Sequence, residues 1–129
     1  MKWGIIGMGD IADKVMAPAM TNSDEHDLFA VMRRDPILAE ELGRKHGASK
    51  IYTNIEDLLN DGDIDAVYVA TPVYLHKEQT IMAASYGKHV LCEKPMAMNA
   101  SEGRDMVKAC HENQVKLMLC YYQRFNRRH

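Results

Sequence analysis

The stretch that most constrains the fold is the first one. Met1-Lys2-Trp3-Gly4-Ile5-Ile6-Gly7-Met8-Gly9-Asp10-Ile11-Ala12 reads as a short apolar strand, a glycine turn and the start of a helix. Gly7, Gly9 and Ala12 follow the spacing G-x-G-x-x-G/A, in which the first glycine makes a tight turn and the second admits a pyrophosphate to the backbone. The third small residue lets helix and strand pack closely. N–H groups left unpaired at the helix start, at the positive end of its dipole, favour an anion. Glycine turns after strands are common, so the match gains its weight from heading a chain that alternates strand and helix.

That alternation runs the length of the sequence. Lys2 to Ile6 is the first strand; Asp10 is expected to cap the following helix, and Pro18 to kink it or end it early. Leu28 to Met32 is a continuous apolar run suited to burial on both faces of a parallel sheet. A helix follows Pro36, with Leu38, Ala39 and Leu42 inward, and closes near Gly47. Lys50-Ile51-Tyr52 is a short third strand, and Asn54 starts a small helix bearing Ile55, Leu58 and Leu59. Asp65 to Ala70 is a fourth strand, after which Thr71-Pro72 opens a helix that stops at Gly87. His89 to Cys92 is the fifth strand. Asn99-Ala100-Ser101-Glu102 has the form of a capping box for a helix reaching about Asn113, and Val115 to Tyr121 is the sixth strand. Short apolar strands alternating with helices imply an α/β doubly wound parallel sheet, and the glycine-rich first turn assigns the strand order 3-2-1-4-5-6.

Composition excludes several classes. A formal net charge of −2, with 26% charged residues, leaves no basic footprint for nucleic acid outside the short tail Arg124-Phe125-Asn126-Arg127-Arg128-His129. No apolar run approaches the ~20 residues of a membrane span. The chain enters a strand at once, without a charged lead or cleavage segment, which argues against secretion and for the cytoplasm. Cys92, Cys110 and Cys120 are odd in number and widely spaced, so buried free thiols are expected rather than disulfides or zinc. The histidines show no metal-ligand spacing, and neither a phosphate loop nor a nucleophile elbow occurs.

In such a sheet, ligands bind beyond the carboxyl ends of the strands, at the switch in strand order. Arg33 and Arg34 stand at the end of the second strand, where a binder of NAD places an acidic residue on the ribose hydroxyls. A guanidinium is planar, always charged and bidentate, and suits a 2′-phosphate, so NADP is the preferred cofactor; Asp35 keeps NAD open, as do two merely solvated arginines. Glu93-Lys94-Pro95 follows the fifth strand. Its lysine is placed to orient a substrate hydroxyl or share its proton, although the residues alone are read more simply as an exposed ion pair beside a turn proline. His76, at a helix start on the same edge, is read as a structural histidine before a ligand contact.

Several stretches together resemble the N-terminal domain of the glucose–fructose oxidoreductase and inositol dehydrogenase family, often called Gfo/Idh/MocA. They are Trp3 to Ala12, Asp65-Ala66-Val67-Tyr68-Val69-Ala70-Thr71-Pro72 with Leu75-His76, and Ala84-Ser85-Tyr86-Gly87-Lys88-His89-Val90-Leu91-Cys92-Glu93-Lys94-Pro95-Met96-Ala97. The resemblance covers essentially the whole chain. It implies a Rossmann domain of an NAD(P)-dependent oxidoreductase acting on sugars, polyols, dihydrodiols or related small molecules. Gly7, Met8, Gly9, Asp10, Ile11 and Ala12 would then hold the pyrophosphate, and Arg33 and Arg34 the adenosine ribose or its phosphate. Ala70, Thr71, Pro72, Leu75 and His76 would line the cofactor, and Glu93 would face the nicotinamide-side ribose. Lys94 matches the family lysine that contacts substrate and assists proton transfer.

The sequence departs from that family's pattern at Val73, often Asn, and at Arg127, often Pro. Family members are also more than twice as long, with a second domain that completes the substrate site. Residues 1–129 are therefore expected to be the dinucleotide-binding domain alone, binding cofactor with little or no turnover. Uncovered Tyr121, Tyr122 and Phe125 favour a homo-oligomer formed through the sixth strand or tail. A non-catalytic NAD(P)-binding sensor of the same family is the other reading, against which the retained Glu93-Lys94 argues.

Overall fold

A computed structural model describes residues 1–125; residues 126–129, and with them most of the basic tail and Arg127, lie outside it, as do the side chains of Tyr122 and Phe125. The six strands are β1 (Lys2–Ile6), β2 (Asp27–Met32), β3 (Lys50–Tyr52), β4 (Ala66–Val69), β5 (His89–Glu93) and β6 (Leu117–Cys120). They form one all-parallel sheet in the order β3-β2-β1-β4-β5-β6, as the alternating pattern predicts. The helices are α1 (Ala17–Thr21), α2 (Pro36–His46), α3 (Ile55–Leu59), α4 (His76–Ser85) and α5 (Ala100–Glu112).

Burial on both faces explains why the strands read as apolar runs rather than alternating ones. On one face Ile6, Phe29, Met32, Val67, Val69 and Val90 pack with Leu58, Leu59, Ala83 and Met106 of α3, α4 and α5. On the other, Ile5, Leu28, Val31 and Tyr68 pack with Ala12, Ala17 and Met20. Ala12 is fully buried there, the close helix–strand contact that its small side chain implies.

Two expectations about the first helix are corrected. Asp10 does not cap it; its carboxylate instead accepts from the Lys14 ammonium at 3.1 Å, and the helix start has no side-chain cap. Nor does Pro18 break the helix. Proline has no N–H to give and needs room beside the carbonyl four residues back. The turn before it, Ala12–Met16, is widened to a π-helix, with the Ala17 N–H bonding five residues back to Ala12. Pro18 then falls in the first turn of α1, where its missing donor costs little. A third difference follows Pro72, where a 3₁₀ turn (Val73–Leu75) precedes α4 instead of a direct helix start.

The α3–β4 connection is pinned from two sides. Asp61 accepts from the Lys50 ammonium at 2.6 Å, the Tyr52 hydroxyl at 2.7 Å and the Asp63 N–H at 2.9 Å. From just before β5, the buried Lys88 ammonium donates to the carbonyls of Asp61 and Ile64; burial lowers its pKa. Lys50 first, then Tyr52, hold the Asp61 carboxyl down at about 2, below the ordinary 3.8. A depressed carboxylate stabilises the fold fully above its unfolded value, and that contribution is lost as the pH falls through about 2. Asp61→Asn is therefore expected to cost about 2 kcal/mol near neutral pH. In urea unfolding its deficit should shrink as the pH drops from 3.8 to about 2; a deficit constant across that window would contradict the assignment.

Candidate functional site

The glycine turn is shaped by contact with the end of β4. Gly7 has φ +82°, and a Cβ built there would lie 2.5 Å from Thr71 Cγ2 and 2.9 Å from the Thr71 nitrogen. Only glycine satisfies both conditions. Its N–H donates to the Met32 carbonyl of β2 at 3.2 Å, tying the turn to the neighbouring strand. Gly9 differs: a Cβ there would meet nothing within 4 Å. The space over Gly9 is open, and the helix beyond it begins without a side chain on its N–H groups. That combination fits an anionic group drawn close to the backbone.

A cavity of about 760 Å³ lies over this turn and along the carboxyl ends of β1 to β4. Gly7, Met8, Gly9, Arg33, Arg34, Ala70, Thr71, Pro72 and Leu75 line it, as the sequence leads one to expect. The two arginines are not equivalent. Arg33 is half-buried, and its guanidinium donates to the Met8 carbonyl at 2.5 Å, bridging the end of β2 to the glycine turn. Arg34 is exposed on the same wall. Asp35 is the N-cap of α2: one carboxylate oxygen accepts from the N–H groups of Ile37 at 2.9 Å and Leu38 at 3.2 Å.

The remaining sequence-selected residues do not line the cavity. Asp10, Ile11 and Ala12 form the helix start behind it, with Asp10 and Ile11 exposed and Ala12 buried. His76 is 1% exposed, and its ring joins two segments of the sheet edge. Nε2 lies 2.7 Å from the Thr71 carbonyl and Nδ1 lies 3.0 Å from the Pro95 carbonyl. It is a clamp within the edge, which agrees with the structural reading of a helix-start histidine. Glu93 ends β5 and is buried, accepting from the Tyr68 hydroxyl at 2.7 Å and the Lys94 N–H at 2.9 Å. Lys94 is exposed beside it. Among the described residues no ion pair joins the two side chains, so the simple ion-pair reading of Glu93-Lys94 does not hold.

Sequence reasoning missed the far wall. Thr53, Asn54, Ile55 and Glu56, just past β3, complete the cavity with Glu78, Gln79 and Met82 of α4. The rule that ligands sit beyond strand ends points to the β3 end equally well, but Thr53-Asn54 carries no charged or glycine signature. Gln79 is harder to find, since its role is to accept from the Thr71 hydroxyl eight residues away. The cysteines are free, and burial pushes Cys92 up to about 12 and Cys120 to about 11. Neither is a thiolate at neutral pH. Among the described residues there is no cluster fit to hold a metal ion and no helix long and apolar enough to cross a membrane.

Fold and edge together define a dinucleotide-binding Rossmann domain of the oxidoreductase class. Residues 1–121 match the Gfo/Idh/MocA family, described as an oxidoreductase family with an NAD-binding Rossmann fold, and the chain belongs to it. It is 37% identical over 125 residues to trans-1,2-dihydrobenzene-1,2-diol dehydrogenase of Xenopus laevis, covering 96% of this chain and 38% of that protein. It is 37% identical over 118 residues to the NADP(+)-dependent scyllo-inositol 2-dehydrogenase IolU of Bacillus subtilis, covering 92% and 36%. Among solved structures it is similar to KijD10, a 3-ketoreductase from Actinomadura kijaniata in complex with TDP-benzene and NADP. There the TM-score is 0.89 at 30% identity, over 92% of this chain and 37% of that one. A probable dehydrogenase from Thermotoga maritima gives a TM-score of 0.92 at 30% identity, over 98% and 38%. The chain thus spans under two-fifths of the length of these relatives.

The two glycines should separate fold from binding. Gly7→Ala is expected to destabilise the domain by at least about 2 kcal/mol, because strain and clash add. Gly9→Ala should leave stability within about 0.5 kcal/mol and weaken NADPH binding by about tenfold or more. Thermal unfolding and a fluorescence titration measure the two; undiminished NADPH binding by Gly9→Ala would remove the cradle from the site.

Proposed function

We propose that the chain is the cofactor-binding part of an oxidoreductase that prefers NADP(H) and acts on a sugar, polyol or dihydrodiol-like small molecule. The observation that carries the cofactor preference is the division of labour at the end of β2. Asp35, the residue left to take ribose hydroxyls, is engaged in capping α2. Arg33 is engaged with the Met8 carbonyl. Arg34 is exposed on the cavity wall, where its guanidinium can take a 2′-phosphate in two parallel hydrogen bonds. The names of the relatives support the substrate class.

The residues would share the work along the edge. The glycine turn and helix start hold the pyrophosphate, Arg34 the adenosine phosphate, and the exposed ammonium of Lys94 orients a substrate hydroxyl and shares its proton. When bound, the nicotinamide supplies the hydride chemistry. We further propose that groups beyond this chain complete the substrate site, so the 129-residue chain binds cofactor with little or no turnover; its relatives are more than twice as long.

Titration of the native chain with NADPH and NADH tests the reading. NADPH is expected to bind more tightly. Arg34→Ala should weaken NADPH about tenfold or more while leaving NADH nearly unchanged. Arg33→Ala should weaken both alike, about threefold, through the loosened glycine turn. Equal affinity for the two cofactors, unaffected by Arg34→Ala, would overturn the NADP assignment.

A further inference from the structure

The two faces of the sheet are not covered equally. α3, α4 and α5 all pack on one face. Among the described residues the other face carries only α2 and the first helix, the Ala12–Met16 turn with α1, which pack with β1, β2, β3 and Tyr68 of β4. A parallel sheet is ordinarily buried on both sides, yet on this face β5 and β6 have no helix above them. Leu91 and Cys120 are left half-buried there, and Met118, directly across from Leu91, is 45% exposed. Two strands at about 4.8 Å spacing make a strip about 10 Å wide, the diameter of one helix.

The wall beside that strip is apolar too. Lys45 and His46 at the end of α2 bond the Asp13 carboxylate, so Asp13 marks the flank of the first helix turned toward α2. Ile11 and Val15 stand two residues to either side of it, roughly half a turn away, and therefore face the opposite flank, toward β5. They are 45% and 53% exposed, and Ala19, a turn beyond Val15, is exposed in line with them. Floor and wall form an open apolar corner, with Tyr121 exposed at its carboxyl end. Surfaces of this kind mark contacts with other molecules.

Charge at the corner says which molecule. The first helix runs against the strands, so Asp10 stands at their carboxyl ends, exposed and paired at the surface with Lys14. At the same end, beyond β5 and β6, Lys94 and Arg124 are exposed. A two-fold axis parallel to the strands, lying between two facing sheets, would keep every residue at its height along the strands. The first helix of each copy would then lie over β5 and β6 of the other, flank against flank, with Asp10 of one copy facing Lys94 and Arg124 of the other. Opposite charges meet, and the same patch serves both copies, as an isologous contact requires. A two-fold axis across the strands would instead lay helix on helix and leave both strips bare.

We propose that this face is the interface of a two-fold dimer, in which the first helix of a second copy takes the place left open over β5 and β6. Self-association then belongs to the face of β5 and β6 and the flank of the first helix, away from the tail. It is independent of the cofactor reading.

Sedimentation of the 129-residue chain across a concentration series tests the proposal, and a dimer that dissociates on dilution is expected. Near the axis each Val15 faces Val15 of the second copy, so a charge placed there meets itself. Val15→Lys and Val15→Glu should each weaken dimerisation about tenfold or more, and an equimolar mixture of the two should restore it. Met118→Glu, on the floor, should weaken it as much. Both positions are exposed, so thermal unfolding of the monomers should change little. The native chain reports even if a variant folds poorly: amide exchange in residues 11–19 and 117–120 should slow as concentration rises. A native chain that stays monomeric at every concentration would overturn the inference. So would a dimer indifferent to Val15→Lys, variants that fail to recover on mixing, or amide protection confined to other residues.

Discussion

The edge of the sheet depends on one close approach, that of the Gly7 α-carbon to Thr71. With 2.5 Å between a would-be Cβ and the threonine methyl, the turn after β1 and the turn after β4 are in direct contact where the strand order reverses. Central position gives β1 a partner on either side, so its turn is registered against two strands. Two residues on, the space over Gly9 is open, and a Cβ there would meet nothing within 4 Å. A side chain at Gly7 would push apart the two turns between which the cavity is formed.

Much of this was legible because parallel strands buried on both faces announce themselves as apolar runs. β2 and β4 fall within a residue or so of the expected ends, and the strand order follows from the glycine turn. The illegible parts involve contacts between residues distant in sequence or between side chain and backbone. Nothing local says that Asp10 will turn to Lys14 rather than cap, or that a proline will be met by widening the turn before it. Site residues divide in the same way. Those on the glycine turn and at the ends of β2 and β4 line the cavity, because strand ends and turns place them. His76 and Glu93 are outside that lining and are buried against partners 19 and 25 residues away, Pro95 and Tyr68. The family resemblance selects such residues without saying whether they touch a ligand or hold one that does.

Charge at the end of β2 shows why a dipeptide motif is a coarse signal. In sequence, two adjacent arginines suggest a 2′-phosphate and the aspartate beside them suggests ribose hydroxyls. In the folded chain they have three separate tasks: one bridges strands, one faces the cavity and one begins a helix. Backbone position, not residue type, decides which task falls to which.

The His76 ring has a mechanical consequence. Thr71 presses on Gly7 and bonds through its carbonyl to one ring nitrogen, while the other nitrogen meets Pro95, the neighbour of Lys94. The line Gly7–Thr71–His76–Pro95–Lys94 is unbroken from the glycine turn to the exposed ammonium. Two loops are thereby joined into one strut, so the distance between the glycine turn and the Lys94 ammonium is set by a buried imidazole.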